Sequence, residues 1–254
     1  MLNLMHITIN GQPLVQFVLI FLVVVACYFV GNINFAKIIA RAKKIDITKQ
    51  GSGNPGTMNM ARTLGTRWGF VTLALDAAKG AFGAVLGWYV LCFGRFAPQL
   101  FSFGDDLIGM LIGGASVVIG HIFPIIYKFK GGKGVASTIG VCMVLNPIVT
   151  LISFVAAVTF IVFFKFGTIA SFITLTPPIA LFTYRIATAV DAYGYFYAPA
   201  MTRLVAPILC VLLFLLVLFM HRTNLKRMFN GTENVVNALK KKQKKQKQKQ
   251  TQKA

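Results

Sequence analysis

GVASTIGVCMVLNPIVTLISFVAAVTFIVFF, residues 134–164, contains no charged side chain, and whether it forms one helix or two decides the fold. As one helix its 31 residues would measure about 46 Å at 1.5 Å per residue, roughly half as long again as a hydrocarbon core of about 30 Å. Two shorter spans turning at Asn146-Pro147 fit a bilayer better, so the reading is Gly134 to Leu145 followed by Ile148 to Phe164.

Outward from this stretch the chain has the same character. Of its 254 residues 56% are hydrophobic and 23 are Phe, the mean hydropathy is +0.71, and apolar residues come in blocks instead of stripes, which places the chain in lipid. Alternation with period two, the mark of a membrane barrel, is missing from these blocks. Irregular backbone cannot face lipid because its amides find no partners there. The expected fold is therefore an all-α integral membrane protein, a polytopic bundle of about seven transmembrane helices. Besides the two spans already given, these lie near Pro13 to Ala36, Gly69 to Phe93, Leu107 to Ile126, Thr168 to Ile186 and Arg203 to Met220. No Lys or Arg precedes the first run and no small-residue cleavage site follows it, so it reads as a retained helix.

Basic residues orient the bundle. Lys37, Arg41, Lys43, Lys44, Lys49, Arg62 and Arg67 lie between spans one and two. Lys128, Lys130 and Lys133 lie in the third connection, Lys165 in the fifth, and Arg222, Lys226 and Arg227 after the last span. The positive-inside rule makes these segments cytoplasmic, with the N-terminus outside and the C-terminus inside. Seven spans give that parity; merging residues 134–164 into one span would reverse the C-terminus. The net charge of +20 is inflated by residues 234–254, where eight basic residues stand in a Lys/Gln tract from Lys240 to Lys253. This segment reads as a disordered basic tail near lipid headgroups, with no aromatic residues for stacking on nucleic-acid bases, and residues 1–233 as the membrane domain. Cys27, Cys92, Cys142 and Cys210 are scattered singly, so no zinc site or disulfide framework is expected.

Three polar segments carry the chemistry. The first, GSGNPGTMNMAR (51–62), matches the dinucleotide pattern G-x-G-x-x-G at Gly51, Gly53 and Gly56, but RAKKIDITKQ before it is no buried strand, which excludes that reading. Its glycines free the backbone for close approach to a ligand, Ser52, Asn54, Thr57 and Asn59 add short polar groups, and Arg62 on the following helix offers a fork to phosphate or carboxylate. The second, GHIFPIIYKFKGGKGVAS (120–137), is no Walker A loop, since Tyr127 and Gly134 stand where Gly and Ser or Thr are required. Lys133 beside Gly131, Gly132 and Gly134 can still wrap an anion. The third, HRTNLKRMFNGTE (221–233), puts His221 and Asn224 on one helix face, with Lys226 and Arg227 one turn on and Glu233 past Gly231. Asp76 and Lys79, i and i+3 inside span two, should face the bundle and neutralise one another or a partner.

An even number of spans separates each pair of these segments, so all three reach one face and can form one site. A transporter of a phosphorylated molecule or lipid shares the basic interface, but favours midplane polar groups in broken helices and an internal repeat, which the chain does not display at a convincing level.

In their order and spacing, GSGNPGTMNMAR, the Asp76-x-x-Lys79-Gly80 element, GHIFPIIYKFKGGKGVAS and HRTNLKRMFNGTE resemble the PlsY family of bacterial membrane acyltransferases over roughly residues 14–233. The resemblance implies a multi-pass protein of the bacterial plasma membrane with its active site facing the cytoplasm. It also implies acyl transfer from acyl phosphate to glycerol 3-phosphate, giving 1-acyl-glycerol 3-phosphate in phospholipid synthesis, with no cofactor, no metal and no nucleic acid. By residue, it implies roles for Ser52, Gly53, Asn54, Asn59 and Arg62 in the first segment, for His121, Lys130, Gly131, Gly132, Lys133 and Gly134 in the second, and for His221, Asn224 and Glu233 in the third. Of these, Arg62, Lys133, His221 and Asn224 are expected to be catalytic and the rest to bind substrate. Two departures stand out: Thr57-Met58 replaces the usual Ala-Thr, and Ser137 replaces a Thr.

Overall fold

The computed structural model describes residues 13–93, 106–188 and 200–233; the basic tail at 234–254 and the side chain of Cys92 lie outside the described residues. Among the described residues there are helices and turns and no strands. In chain order the helices are α1 (Pro13–Asn32), α2 (Phe35–Ala42), α3 (Thr57–Leu64), α4 (Thr66–Trp88), α5 (Asp106–Ile122), α6 (Val135–Leu145), α7 (Pro147–Phe164), α8 (Gly167–Thr188), α9 (Ala200–Met220) and α10 (Arg222–Phe229). All seven expected spans appear as helices. Six stretches are long and apolar enough to cross a membrane: Phe17–Ala42, Thr66–Leu91, Leu107–Tyr127, Pro147–Phe164, Gly167–Thr188 and Thr202–Met220. The seventh, α6, is shorter.

Residues 134–164 are indeed two helices. Asn146 at φ −152° breaks the run and Pro147, which needs no amide partner in a first turn, opens α7. With 11 residues against 18 in α7, α6 stops about 10 Å short of its neighbour at 1.5 Å per residue. Its first turn and the last turn of α7 line the same cavity, so the two run antiparallel and the start of α6 is recessed.

α4 is the pivot of the bundle, packing on α5 and α6, and close backbone approach is what lets it do so. A Cβ added at Gly80 would stand 2.0 Å from the Ser137 carbonyl oxygen of α6, and one at Gly140 1.8 Å from that of Ala77. In lipid no hydrophobic force drives helices together, so such small-residue contacts, with the dispersion gain they permit, hold the interface. Large exposed side chains, among them Phe17 and Phe21 of α1 and Ile148 and Phe163 of α7, cover the outer faces of those helices as lipid requires.

Asp76 and Lys79 are fully inside. Their charges lie 2.9 Å apart, and Lys79 Nζ also donates to the carbonyls of Gly31 (3.1 Å) and Ile33 (2.7 Å). These carbonyls end α1, so the lysine closes a helix terminus while neutralising its partner. The Nδ1 atom of His121, at the end of α5, lies 3.5 Å from the same Asp76 oxygen. The intramembrane pair thus ties α4 to α1 and α5.

Candidate active site

The three polar segments meet. One cavity of about 580 Å³ is lined by Ser52, Asn54, Asn59 and Arg62 of the first, His121, Lys133 and Gly134 of the second, and His221, Asn224, Arg227 and Glu233 of the third. Much of the rest of its wall is apolar and comes from four membrane helices: Phe70 and Leu73 of α4, Ile139 of α6, Phe154, Val158 and Ile161 of α7, and Ala170 of α8. One chamber therefore has a charged end and a hydrocarbon-like end.

The first segment folds into a tight loop held by Asn59. The buried Asn59 amide oxygen accepts from Ser52 N (2.9 Å), and its nitrogen donates to the carbonyls of Ile47 (3.1 Å) and Gln50 (2.9 Å). With both amide hydrogens used inside the loop, Asn59 shapes the wall instead of offering a free donor to a ligand. Gly53, at φ 72° with its amide donating to Gln50, makes the turn and is not a wall residue. The loop delivers Ser52 and Asn54 to the cavity, and α3, which follows it, carries Arg62 in its last turn to the cavity wall.

In the second segment the paired glycines have a different task from the one expected. The amides of Gly131 and Gly132 donate to the carbonyls of Ile122 (3.2 Å) and His121 (3.1 Å) at the end of α5, so they are not available to cradle an anion. Side chains are excluded there because an added Cβ would meet the His121 oxygen at 2.0 Å from Gly131 and His121 Nε2 at 2.1 Å from Gly132. Neither glycine lines the cavity, and Lys130 points out, exposed, its carbonyl accepting from Lys37. The cavity-facing part is the next turn. Lys133, Gly134, Val135 and Ala136 all line the cavity, Gly134 takes φ 84° to open α6, and the first amides of a helix have no partner within it.

The third segment places His221 one residue beyond α9. His221 Nδ1 lies 2.8 Å from the Val217 carbonyl; a carbonyl only accepts, so Nδ1 carries the proton and Nε2 is the free acceptor. Burial, followed by the nearby Lys133 charge and opposed by that hydrogen bond, lowers the imidazole to about 4, and the ring is neutral at physiological pH. Asn224 donates to Thr168 Oγ (3.0 Å) and accepts from Arg227 (2.8 Å), while the Thr168 hydroxyl donates to Glu233. Asn224 and Glu233 are thus joined through Thr168 at the start of α8.

Arg62, Lys133, Lys165 and Arg227 line the cavity against the single carboxylate of Glu233. Burial, reinforced by Arg227 and Arg62, lowers the Lys133 ammonium to about 8, with Glu233 opposing. A cation disfavoured in this way by its neighbours marks a place where an anion is wanted. Arg227, Lys165 and Thr168 were not among the expected site residues. Arg227 had a signal, standing three residues beyond Asn224 on the same helix face; Thr168 had none, being one hydroxyl at the head of an apolar run.

Residues 21–231 match the family model for glycerol-3-phosphate acyltransferase. The chain is 37% identical over 210 residues to the glycerol-3-phosphate acyltransferase of Mycoplasmopsis pulmonis, covering 82% of this chain and 89% of that one. With the enzyme of Aquifex aeolicus it shares 31% over 215 residues, 85% and 97% of the two chains. It is also similar to the crystal structure of PlsY (YgiH), an integral membrane glycerol 3-phosphate acyltransferase. The glycerol 3-phosphate form superposes with a TM-score of 0.69 at 27% identity, covering 87% of this chain and 97% of that one. The lysophosphatidic acid form gives 0.66, covering 85% and 94%. A bundle of apolar helices that gathers three polar segments around one cationic, lipid-lined cavity, matched across nearly its whole described length, belongs to the glycerol-3-phosphate acyltransferase family and is a membrane acyltransferase.

Proposed function

We propose that the chain transfers an acyl group from acyl phosphate to glycerol 3-phosphate, giving 1-acyl-glycerol 3-phosphate and inorganic phosphate, at the cytoplasmic face of a bacterial plasma membrane. The observation that carries this reading is the two-ended cavity, because each end fits one half of each partner. Acyl phosphate has a hydrocarbon tail for the walls of α4, α6, α7 and α8 and an anionic head for Lys133 and the start of α6. Glycerol 3-phosphate is a small dianion suited to the cluster of Arg62 and Arg227. The basic connections noted above support this orientation, with the N-terminus outside and the C-terminus inside, by the positive-inside rule.

The donor is a mixed anhydride and already activated, so the protein needs to supply mainly proximity and charge stabilisation. In this mechanism the glycerol 1-hydroxyl oxygen attacks the acyl carbonyl carbon, the carbon–oxygen bond to phosphorus breaks, and phosphate leaves with the bonding pair. The proton of the hydroxyl passes to a phosphate oxygen of the donor. An imidazole at about 4 is a weak base at neutral pH. His221 Nε2 therefore accepts a hydrogen bond from the glycerol and orients it. His121, turned to Asp76 and walled by Gly132, takes no part in proton transfer. No acyl-enzyme forms.

Purified protein supplied with radiolabelled acyl phosphate and glycerol 3-phosphate is expected to release phosphate and acylated glycerol phosphate in equal amounts, and to carry no label when the acceptor is omitted. Label retained on denatured protein contradicts direct attack; substrate moved across liposomes with no phosphate released favours transport over transfer.

A further inference from the structure

A second cavity, of about 410 Å³, shares no wall residue with the first. It lies between α2, which contributes Lys37 and Arg41, and the turn that follows, which contributes Lys44 and residues 45–48. Lys37 and Arg41 are one helical turn apart and both stand over the Tyr127 ring, Nζ at 3.9 Å and the guanidinium carbon at 5.9 Å from its centre. Lys37 Nζ also donates to the Lys130 carbonyl at 3.1 Å, which fixes it in place. Lys44 takes φ 57°, its amide donating to the Arg41 carbonyl at 2.8 Å, and this left-handed residue folds the chain back so that the third cation shares the cavity. The one carboxylate, Asp46, is committed: its Oδ1 accepts from Thr48 N (3.0 Å) and from the Thr48 hydroxyl (2.7 Å). Three cations therefore face one carboxylate that is engaged in capping a turn.

The surroundings say what kind of anion belongs there. The cavity sits at the end of the membrane stretch Phe17–Ala42. Ile38, next to Lys37, is 48% exposed, and Ile125 and Ile126, just before Tyr127, are 52% and 63% exposed. A soluble phosphate ester has no use for bare isoleucines at its binding site, whereas a lipid places phosphate at the cations and acyl chains against the apolar side chains. We propose that this cavity binds the phosphate headgroup of an anionic phospholipid from the surrounding leaflet, a site separate from the one where substrates react.

Native mass spectrometry of the full chain in detergent micelles, titrated with phosphatidylglycerol or phosphatidylcholine of identical acyl chains, tests this. Phosphatidylglycerol is expected to bind about tenfold or more tightly. Arg41→Gln with Lys44→Gln should erase that preference. Both side chains are exposed, so their removal leaves the packing intact. Lys43→Gln with Lys49→Gln, an equal loss of charge outside the cavity, should keep it. Equal retention of the two lipids by the unaltered chain, or an equal loss in both paired variants, would overturn the site in favour of diffuse charge attraction. Displacement of phosphatidylglycerol by millimolar inorganic phosphate would also overturn it, by showing that the cavity takes a soluble phosphate.

Discussion

Lys133 is held among like charges in a partly closed cavity, and that sets how activity should follow pH. With its ammonium lowered to about 8, the charged form dominates below that value and is lost as pH rises through it. kcat/KM for glycerol 3-phosphate, which reports the free enzyme, should therefore fall above about pH 8 and approach a tenfold loss per unit. Lys133→Arg, which stays charged, should remove this limb. A wild-type profile flat from pH 7 to 10 would show that the Lys133 charge does not serve the substrate. Residue identity was legible in the sequence here, but residue role only in part. Lysine beside glycines announces an anion, yet the amides of Gly131 and Gly132 turn out to be spent on carbonyls of α5. Asn59 likewise spends its amide on the carbonyls of Ile47 and Gln50. Backbone acceptors lie behind both corrections, and every residue presents the same carbonyl, so no side-chain pattern points to them.

Among the helices, length and apolar content were readable because the bilayer imposes both. The break at Asn146-Pro147 falls where proline chemistry puts it, and the seven runs match the observed helices to within a few residues. What the runs did not convey is how the helices touch. Gly80 and Gly140 lie against carbonyl oxygens on the opposite helix, a partner that leaves no mark on composition. Gly80→Ala must push α4 off α6, because the obstacle is backbone and cannot rotate away. Overpacking of this kind costs about 1–3 kcal/mol, so the variant should show a clearly lowered thermal unfolding midpoint in detergent. An unchanged midpoint would mean that the α4–α6 contact yields without loss. The recess of α6 is the element-scale basis of the site, since a helix about 10 Å shorter than its neighbour brings its amide-bearing end below the rim.

At the scale of the whole molecule, parity made the convergence of three distant segments foreseeable: even numbers of spans separate them, and the folded chain joins them in one cavity. The parts contributed by α7 and α8, Lys165 and Thr168, were not foreseeable, because neither has polar company in the sequence. The account depends on the cations of the three segments acting on the same phosphates, and a double-mutant cycle in the phosphate-release assay tests that most directly. Arg62→Ala, Lys133→Ala and Arg227→Ala, one from each segment, should each reduce kcat/KM at least tenfold, about 1.4 kcal/mol or more of transition-state stabilisation. Combined in pairs they should lose less than the sum of the single losses, as residues that share a partner do. Strict additivity across all three pairs, or an unchanged kcat/KM in any single variant, would contradict a shared phosphate site.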